Sequence, residues 1–562
     1  MPLRPTLWYA SLGVCHRLLA AWGILEHGFR ARRGTDRSGS RGALFWIAAV
    51  AIGAVLGGPE IRGASPLAKG ARRDTRPYAI VVEKDTAADP DWQGVVEALR
   101  KKHAAQVFHA ESGGLKDLRE GLAALRPRYV CFVARPAELA RQGKARGQAP
   151  DGRVVEFPLH GLYYRDAAAL VGSLDKDGYD HAVWSVLTGA TPQDALRVVQ
   201  ARPLRVRRGL SHIGAGWLEW LESGVSFNES SQGKKWTKQP GKPPQEVRGP
   251  DDTTEEFAAE LNSGKVDMVS TSGHATEHDW QLGYSYPDGQ IVTTSWIAKL
   301  PAAAQDNYKQ LREKAGATPT DSAGGLLAVD RANRVYEIRA DNPKIYFSPG
   351  NCRIARVDGP ECLALAWIRH GAMQFFGHVG LQTRSCYAWG VAEYFLALGG
   401  RFTFAEAVWL NQQAMRWELG QMGDQDKKDK YICCRNQTPA PAGPEFFWET
   451  VVLYGDPAWE ARVEPQGYPL YDQELRTKDL GSGRKELVFT VRMRRGSHPS
   501  RPAAFLLNLG PVLQVEVQEG PANLLVTDNF ALVPFWKPGE PAPPVGKEYK
   551  AVAVVRTTAA GQ

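Results

Sequence analysis

A chain of 562 residues, 43% apolar and 23% charged, has the composition of ordinary globular protein but is too long for one hydrophobic core, so about two to four domains are expected. Its net charge of +8 arises in residues 1–77, where twelve Lys and Arg face four Asp and Glu, while the other 485 residues carry 57 of each sign. Binding of nucleic acid needs a basic face on the folded part, and a balanced remainder argues against that function.

The chain opens with a basic stretch containing Arg30, Arg32, Arg33, Arg37 and Arg41, followed by the apolar run from Ala43 to Gly58 and then by Pro59 and Glu60. A basic segment before about fifteen apolar residues fits a secretory signal better than a spanning helix, which needs about twenty. Residues 1–58 are therefore expected to be a signal peptide, with an uncleaved membrane anchor through residues 42–59 as the alternative. The product would be secreted or held in the cell envelope. Residues 59–77, rich in Gly, Ala, Arg and Pro, read as a linker that contains the basic Arg72, Arg73 and Arg76.

From Tyr78 onward strands and helices alternate. Strands are expected at Tyr78–Val82, Gln106–His109 and Tyr129–Val133, with helices near Trp92–Lys102 and Leu115–Leu125 between them. A second series follows: a strand at His181–Leu187, a helix at Thr191–Val199 capped by Thr191 and opened by Pro192, and a strand at Leu204–His212. This spacing implies βαβ units and a parallel sheet. Residues 78–214 make a first α/β subdomain on this reading and residues 215–460 a second. In the second, residues 228–252 lack periodicity and read as an exposed loop, Glu255–Leu261 reads as a helix, and the segment from Trp296 to Ala340 as irregular and partly helical. Further helices are expected at Glu361–His370, at Tyr387–Leu398, and from Thr403 to Leu419. The last opens with the capping box Thr403 and Glu406. Beyond Glu460 only strands divided by Gly and Pro turns are expected, so residues 461–562 read as a β-sandwich.

Two strand ends in the second subdomain carry reactive side chains: Val266-Asp-Met-Val-Ser-Thr-Ser-Gly-His274 and Lys344-Ile-Tyr-Phe-Ser-Pro-Gly-Asn-Cys352. Each is an apolar run that breaks at a glycine. A parallel sheet gathers the carboxyl ends of its strands along one edge, so His274 and Cys352 can converge there as nucleophile and imidazole partner. The other cysteines divide by context. Cys131 and Cys362 read as core residues, whereas Cys386 and one of the vicinal Cys433 and Cys434 are candidates for a bridge whose connectivity spacing leaves open.

Gly273-His-Ala-Thr-Glu-His-Asp-Trp280, the strand before Cys352, the run Gly371-Ala-Met-Gln-Phe-Phe-Gly377 and the turn Leu453-Tyr-Gly-Asp-Pro-Ala458 occur in the order found in the gingipain family of cysteine peptidases, which this chain resembles over residues 78–460. The resemblance implies a caspase-like α/β catalytic unit of two subdomains followed by an immunoglobulin-like domain. It also implies hydrolysis of peptide bonds in protein or peptide substrates, without metal or cofactor. Cys352 would attack, His274 would protonate the leaving amine, and the backbone N–H groups of Ala275 and Cys352 would hold the oxyanion. Glu277 would orient His274 or line the substrate pocket, Trp280 would wall the cleft, and Asp180 is a candidate acidic pocket residue. Ala275 and Asn351 depart from the family pattern, which has glycine and a small residue there. Two alternatives remain open from sequence: an inactive relative acting as a surface or secretion-associated binding module, and a zinc hydrolase using His274 and His278. The second lacks the glutamate that should follow the first histidine.

Overall fold

The computed structural model describes residues 76–148, 153–315, 324–380, 390–421, 451–537 and 540–558. The expected signal or anchor (1–58), nearly all of the linker, the opening of the helix expected at Tyr387, and Cys386, Cys433 and Cys434 lie outside the described residues. Among the described residues, no helix is long and apolar enough to cross a membrane.

Twelve strands form one central sheet: β1 (Tyr78–Glu83), β2 (Gln106–Ala110), β3 (Tyr129–Val133), β4 (Val183–Leu187), β5 (Arg208–Ser211), β6 (Ser223–Phe227), β7 (Lys234–Lys238), β8 (Gln245–Arg248), β9 (Met268–Gly273), β10 (Lys344–Asn351), β11 (Ala372–His378) and β12 (Val451–Gly455). Their spatial order is β8-β7-β6-β5-β9-β10-β11-β12-β4-β3-β1-β2. The fold is mixed α/β, and the sheet is mixed as well. Strands β6, β5, β9, β10 and β11 run parallel to one another, and β12, β4, β3, β1 and β2 form a second parallel block. The two blocks meet antiparallel at β11 and β12. Alternating βαβ units predict each block but carry no signal for their relative direction, which β12 sets from far along the chain. Strands from both sides of residue 214 thus share one sheet, within a single compact unit running from Ala68 to Gln562.

The middle of the sheet is covered on both faces, as side-chain alternation requires. Tyr346 of β10 packs on Trp367 of helix α3 (Leu363–Arg369), with ring centroids 4.4 Å apart, while its neighbour Phe347 meets Phe404 of helix α4 (Phe404–Gly420) at 5.7 Å on the opposite face. Trp367 and Trp409 are fully buried, and burial of such side chains stabilises the fold by about 2–3 kcal/mol each. The α4 capping box forms as expected, with the Thr403 side chain accepting from the Glu406 N–H. The Gly455-Asp456-Pro457 turn is a buried junction: the Asp456 carboxylate accepts from Tyr78 at 2.9 Å, Lys102 at 2.9 Å and His103 at 2.8 Å.

Two loop expectations need correction. The supposed loop at 228–252 contains β7 and β8, an antiparallel extension of the sheet. Its residues are exposed or half-buried, so backbone pairing to β6 holds it rather than an apolar face, and no alternating pattern results. The segment from Trp296 to Ala340 holds the helix Ala302–Lys314 and the strands Leu326–Val329 and Val335–Ile338. With Asp279–Gln281 and Gln290–Thr293 these strands form a four-stranded antiparallel sheet, whose small separate core contains Val292, Ala304, Tyr308, Leu327 and Val329. Beyond Glu460 the strand Ala461–Val463 pairs parallel with Leu204–Val206, and the chain then forms two antiparallel sheets. One has the order Tyr471–Gly481, Arg484–Met493, Glu548–Thr557, Val512–Glu519; the other pairs Ala503–Leu506 and Leu525–Val526 with Phe530–Val533. Phe489 and Phe505 join the two sheets, with centroids 5.0 Å apart.

Candidate functional site

Strands β9 and β10 are parallel neighbours, and Gly273 stands in register with Asn351. Adjacent strands lie about 4.8 Å apart, so the chains that continue into His274 and Cys352 leave the same edge of the sheet side by side. A single strand pairing thus starts the His274 and Cys352 segments from adjacent positions.

The side chain of Asn351 fastens that pairing. It is fully buried and donates through Nδ2 to the Gly273 carbonyl at 3.1 Å, while its Oδ1 accepts from Thr271 Oγ1 at 2.8 Å and from Ser348 Oγ at 2.6 Å. A smaller residue at this position would leave the Gly273 carbonyl and the Ser348 hydroxyl without these partners. Gly273 itself has φ +114°, and a Cβ there would come within 3.1 Å of the Gln281 carbonyl, so glycine is required at the point where the chain turns out of β9.

After Gly273 the chain makes a tight hairpin, with Gln281 N–H donating to the His274 carbonyl at 2.9 Å and Thr276 N–H to the Asp279 carbonyl at 2.8 Å. These two bonds bracket the antiparallel bridge between Ala275 and Trp280, so the Ala275 N–H is not used in closing it. Ala275 is not among the residues with positive φ, which explains why alanine is tolerated where glycine was expected. The exposed His274 ring stacks on Tyr284, with centroids 4.9 Å apart and a tilt of 28°; Tyr284 is itself 44% exposed. Cys352 is half-buried and is not in a disulfide.

The remaining expected site residues divide. Glu277 does belong to this region: its carboxylate lies 3.6 Å from Arg353 Nε and 4.0 Å from Arg356 Nη1, both on the loop after Cys352. Trp280 cannot wall a cleft. It is fully buried, its indole N–H donates to the Ser272 carbonyl at 2.9 Å, and its ring packs against Phe257 and His212 beneath the sheet edge. Asp180 is also a core residue. It precedes β4, three strands from β10, and pairs with Arg416 at 2.7 Å while accepting from Trp184 and Gln413, both at 3.3 Å. A buried, ion-paired carboxylate three strands away stands apart from the β9–β10 edge that leads to Cys352. His278 lies at the tip of the hairpin and not on a helix. Its Nε2 meets Asp358 at 2.9 Å and its Nδ1 the Glu361 carbonyl at 3.0 Å, so the zinc pairing of His274 with His278 lacks the helical spacing it needs.

Compared with known proteins, the chain matches no family model, no curated protein and no solved structure.

The sheet edge holds further groups. Glu229, two residues beyond β6 on the same carboxyl edge, shares a hydrogen bond with the Ser272 side chain, and burial pushes its carboxyl up to about 7 against that bond. Its backbone carbonyl accepts from Tyr284 N–H at 2.7 Å and Ser285 N–H at 3.1 Å, which sets the strap that carries Tyr284 over His274. On the other flank, β11 ends in His378, which burial drives down to about 4, and the carbonyls of His378 and Gly380 accept from the Ala355 and Arg353 N–H groups. The reasoning that located His274 and Cys352 applies equally to the apolar run Gly224–Phe227. Glu229 was missed because residues 228–252 were read as loop.

Proposed function

We propose that this protein is an exported cysteine peptidase of gingipain type, with residues 78–460 as a caspase-like catalytic unit and residues 461–562 as an immunoglobulin-like β-sandwich. The observation that carries the reading is the register of Gly273 with Asn351, from which His274 and Cys352 leave neighbouring strands. The Cys352 sulfur, as thiolate, adds to the carbonyl carbon of the scissile amide. The resulting oxyanion is held by the N–H groups of Ala275 and Cys352. Collapse of this intermediate breaks the C–N bond as His274 gives its proton to the departing amine. Water then hydrolyses the thioester, with His274 taking one of its protons, and expels the Cys352 thiolate, which restores the starting pair. Tyr284, exposed and stacked on His274, forms a wall for the substrate on this reading, in place of the buried Trp280.

A panel of fluorogenic peptides varied at the residue before the scissile bond tests the proposal. Cleavage is expected in the wild type and is expected to fall at least a thousandfold in Cys352→Ala and His274→Ala. Iodoacetamide should modify Cys352 faster than Cys131 or Cys362, which are fully buried and whose thiols burial pushes upward, that of Cys362 to about 12. Cleavage unaffected by Cys352→Ala, or abolished by a chelator, would overturn the proposal. No cleavage together with uniformly slow labelling would favour the inactive relative.

A further inference from the structure

The sheet determines where the His274 and Cys352 segments start, but both residues lie on excursions beyond the strands. One is the hairpin 274–281; the other is the loop from Cys352 to α3. Catalytic geometry is lost when such excursions drift by even about 1 Å. What joins their tips is a compact set of contacts centred on His278. Its imidazole reaches across to the Cys352 loop, with Nε2 at 2.9 Å from the Asp358 carboxylate and Nδ1 at 3.0 Å from the Glu361 carbonyl. Beside it the Glu277 carbonyl accepts from Leu363 N–H at 2.7 Å, and the Glu277 carboxylate faces Arg353 and Arg356. Trp296 closes the outer side, stacked on the imidazole at 4.9 Å and 10°.

A carbonyl and a carboxylate can only accept. An imidazole placed between them must therefore donate through both nitrogens, which only the imidazolium can do. A neutral ring would turn a lone pair toward one of the two oxygens and lose that contact.

We propose that His278 is a positioning residue that, in its charged form, clasps the His274 hairpin to the Cys352 loop and lets go when it loses its proton, so that it sets the alkaline limit of the activity. This inference rests on the peptidase reading for its catalytic consequence, though the clasp itself does not. The charged groups around the ring are Glu277 and Asp279 on its own hairpin and Arg353, Arg356 and Asp358 on the facing loop, with His160 near the two arginines. Burial works against the charge on His278, but Asp358 and then Glu277 outweigh it, and the net shift is upward. Asp358 moves the other way: burial opposes its charge, and the imidazolium more than compensates. For a histidine whose folded pKa is raised, the stabilising contribution is complete below the ordinary value of about 6.5 and disappears as pH rises through the folded value. The clasp should therefore open on the alkaline side.

The test uses the full-length protein with His278→Gln, His278→Ala, Asp358→Asn and the double variant His278→Gln/Asp358→Asn. Peptide cleavage is measured from pH 6 to 9, together with hydrogen exchange of the backbone amides of residues 274–281 at each pH. At pH 6.5 each single variant should lower kcat about tenfold with KM little changed, which corresponds to loss of one charge-assisted hydrogen bond. The double variant should be no worse than the singles, because both act on one contact. His278→Gln, which keeps an N–H donor but cannot titrate, should retain more activity than His278→Ala, and its alkaline decline, left to His274 alone, should have a different midpoint from that of the wild type. Exchange of the hairpin amides, corrected for intrinsic rates, should rise with pH in the wild type and be uniformly fast in His278→Ala. An alkaline decline with the same midpoint in His278→Gln and the wild type, or single effects that multiply in the double variant, would overturn the inference. A wild type that cleaves no peptide but shows the pH-dependent exchange would overturn the peptidase reading alone; exchange unaffected by His278→Ala would overturn the clasp whatever the activity.

Discussion

Replacing Asn351 by alanine removes three hydrogen bonds from a buried position between the two strands that carry the reactive residues. The lost bonds are the one given to the Gly273 carbonyl and those accepted from Thr271 and Ser348. Thr271 keeps its contact with Tyr346 OH at 3.0 Å, so its hydroxyl remains satisfied, while the Gly273 carbonyl and the Ser348 hydroxyl lose these partners. At about 1 kcal/mol net for each bond, the β9–β10 junction should lose about 3 kcal/mol. Such a loss multiplies the local opening equilibrium by about two orders of magnitude. Hydrogen exchange of the β9 and β10 amides measures this directly and should speed up about a hundredfold, while the β1–β3 amides, on the far side of the sheet, should not change. On the proposed peptidase reading, cleavage should fall in parallel, because the register of Gly273 with Asn351 starts the His274 and Cys352 segments side by side. Exchange at β9 and β10 accelerated less than about threefold would refute the argument that Asn351 holds the junction, even if activity fell.

Two other substitutions probe buried carboxylates. Asp180→Asn should destabilise the protein by about 3 kcal/mol, because Arg416 is left half-buried without its charge partner, and thermal unfolding should report the loss. The preference for the residue before the scissile bond should stay the same; a changed preference would return Asp180 to the substrate pocket. Glu229→Gln tests the raised carboxyl. In the folded protein Glu229 keeps its proton up to about 7, whereas in the unfolded chain it loses it near the ordinary value of 4.5. Its neutral form therefore supports the fold below about pH 4.5, and that support disappears as pH rises through 7. Urea unfolding across this window should show a wild-type loss of about 3 kcal/mol that Glu229→Gln lacks. Parallel pH profiles would place the Glu229 carboxyl in a solvated setting.

The parts of the fold visible in the sequence are those where local pattern and tertiary role agree. The apolar runs at Tyr78, Tyr129 and Lys344 become central strands, and the caps at Thr191 and Thr403 start helices where expected. The strand ends that carry His274 and Cys352 were legible for the same reason, since an apolar run that breaks at a glycine is a local signal. Trp280 was misjudged because a tryptophan next to a reactive histidine fits either a cleft wall or a core, and only the hairpin that folds it beneath Gly273 decides between them. Strands β7 and β8 could not be read, because the hairpin they form at the sheet edge is held through its backbone, and a strand such as Lys234-Lys-Trp-Thr-Lys238 leaves no hydrophobic alternation. Nor could the clasp at His278, whose partners Asp358 and Glu361 lie some eighty residues further along the chain.

The place of β12 has a consequence for how the molecule is assembled. Residues 451–455 lie between β11 and β4 and so join two blocks of strands that the chain completes long before. Until those residues emerge during synthesis, β11 and β4 each present a bare hydrogen-bonding edge at what will become the middle of the molecule. A chain that stops short of residue 451 is left with two half-sheets prone to pairing with other chains, and its sheet is completed only by a contact of long sequence separation, which slows folding. Completion of the sheet is thus a late step that requires the chain through residue 455, and truncated or unfinished chains should be recognised by their aggregation.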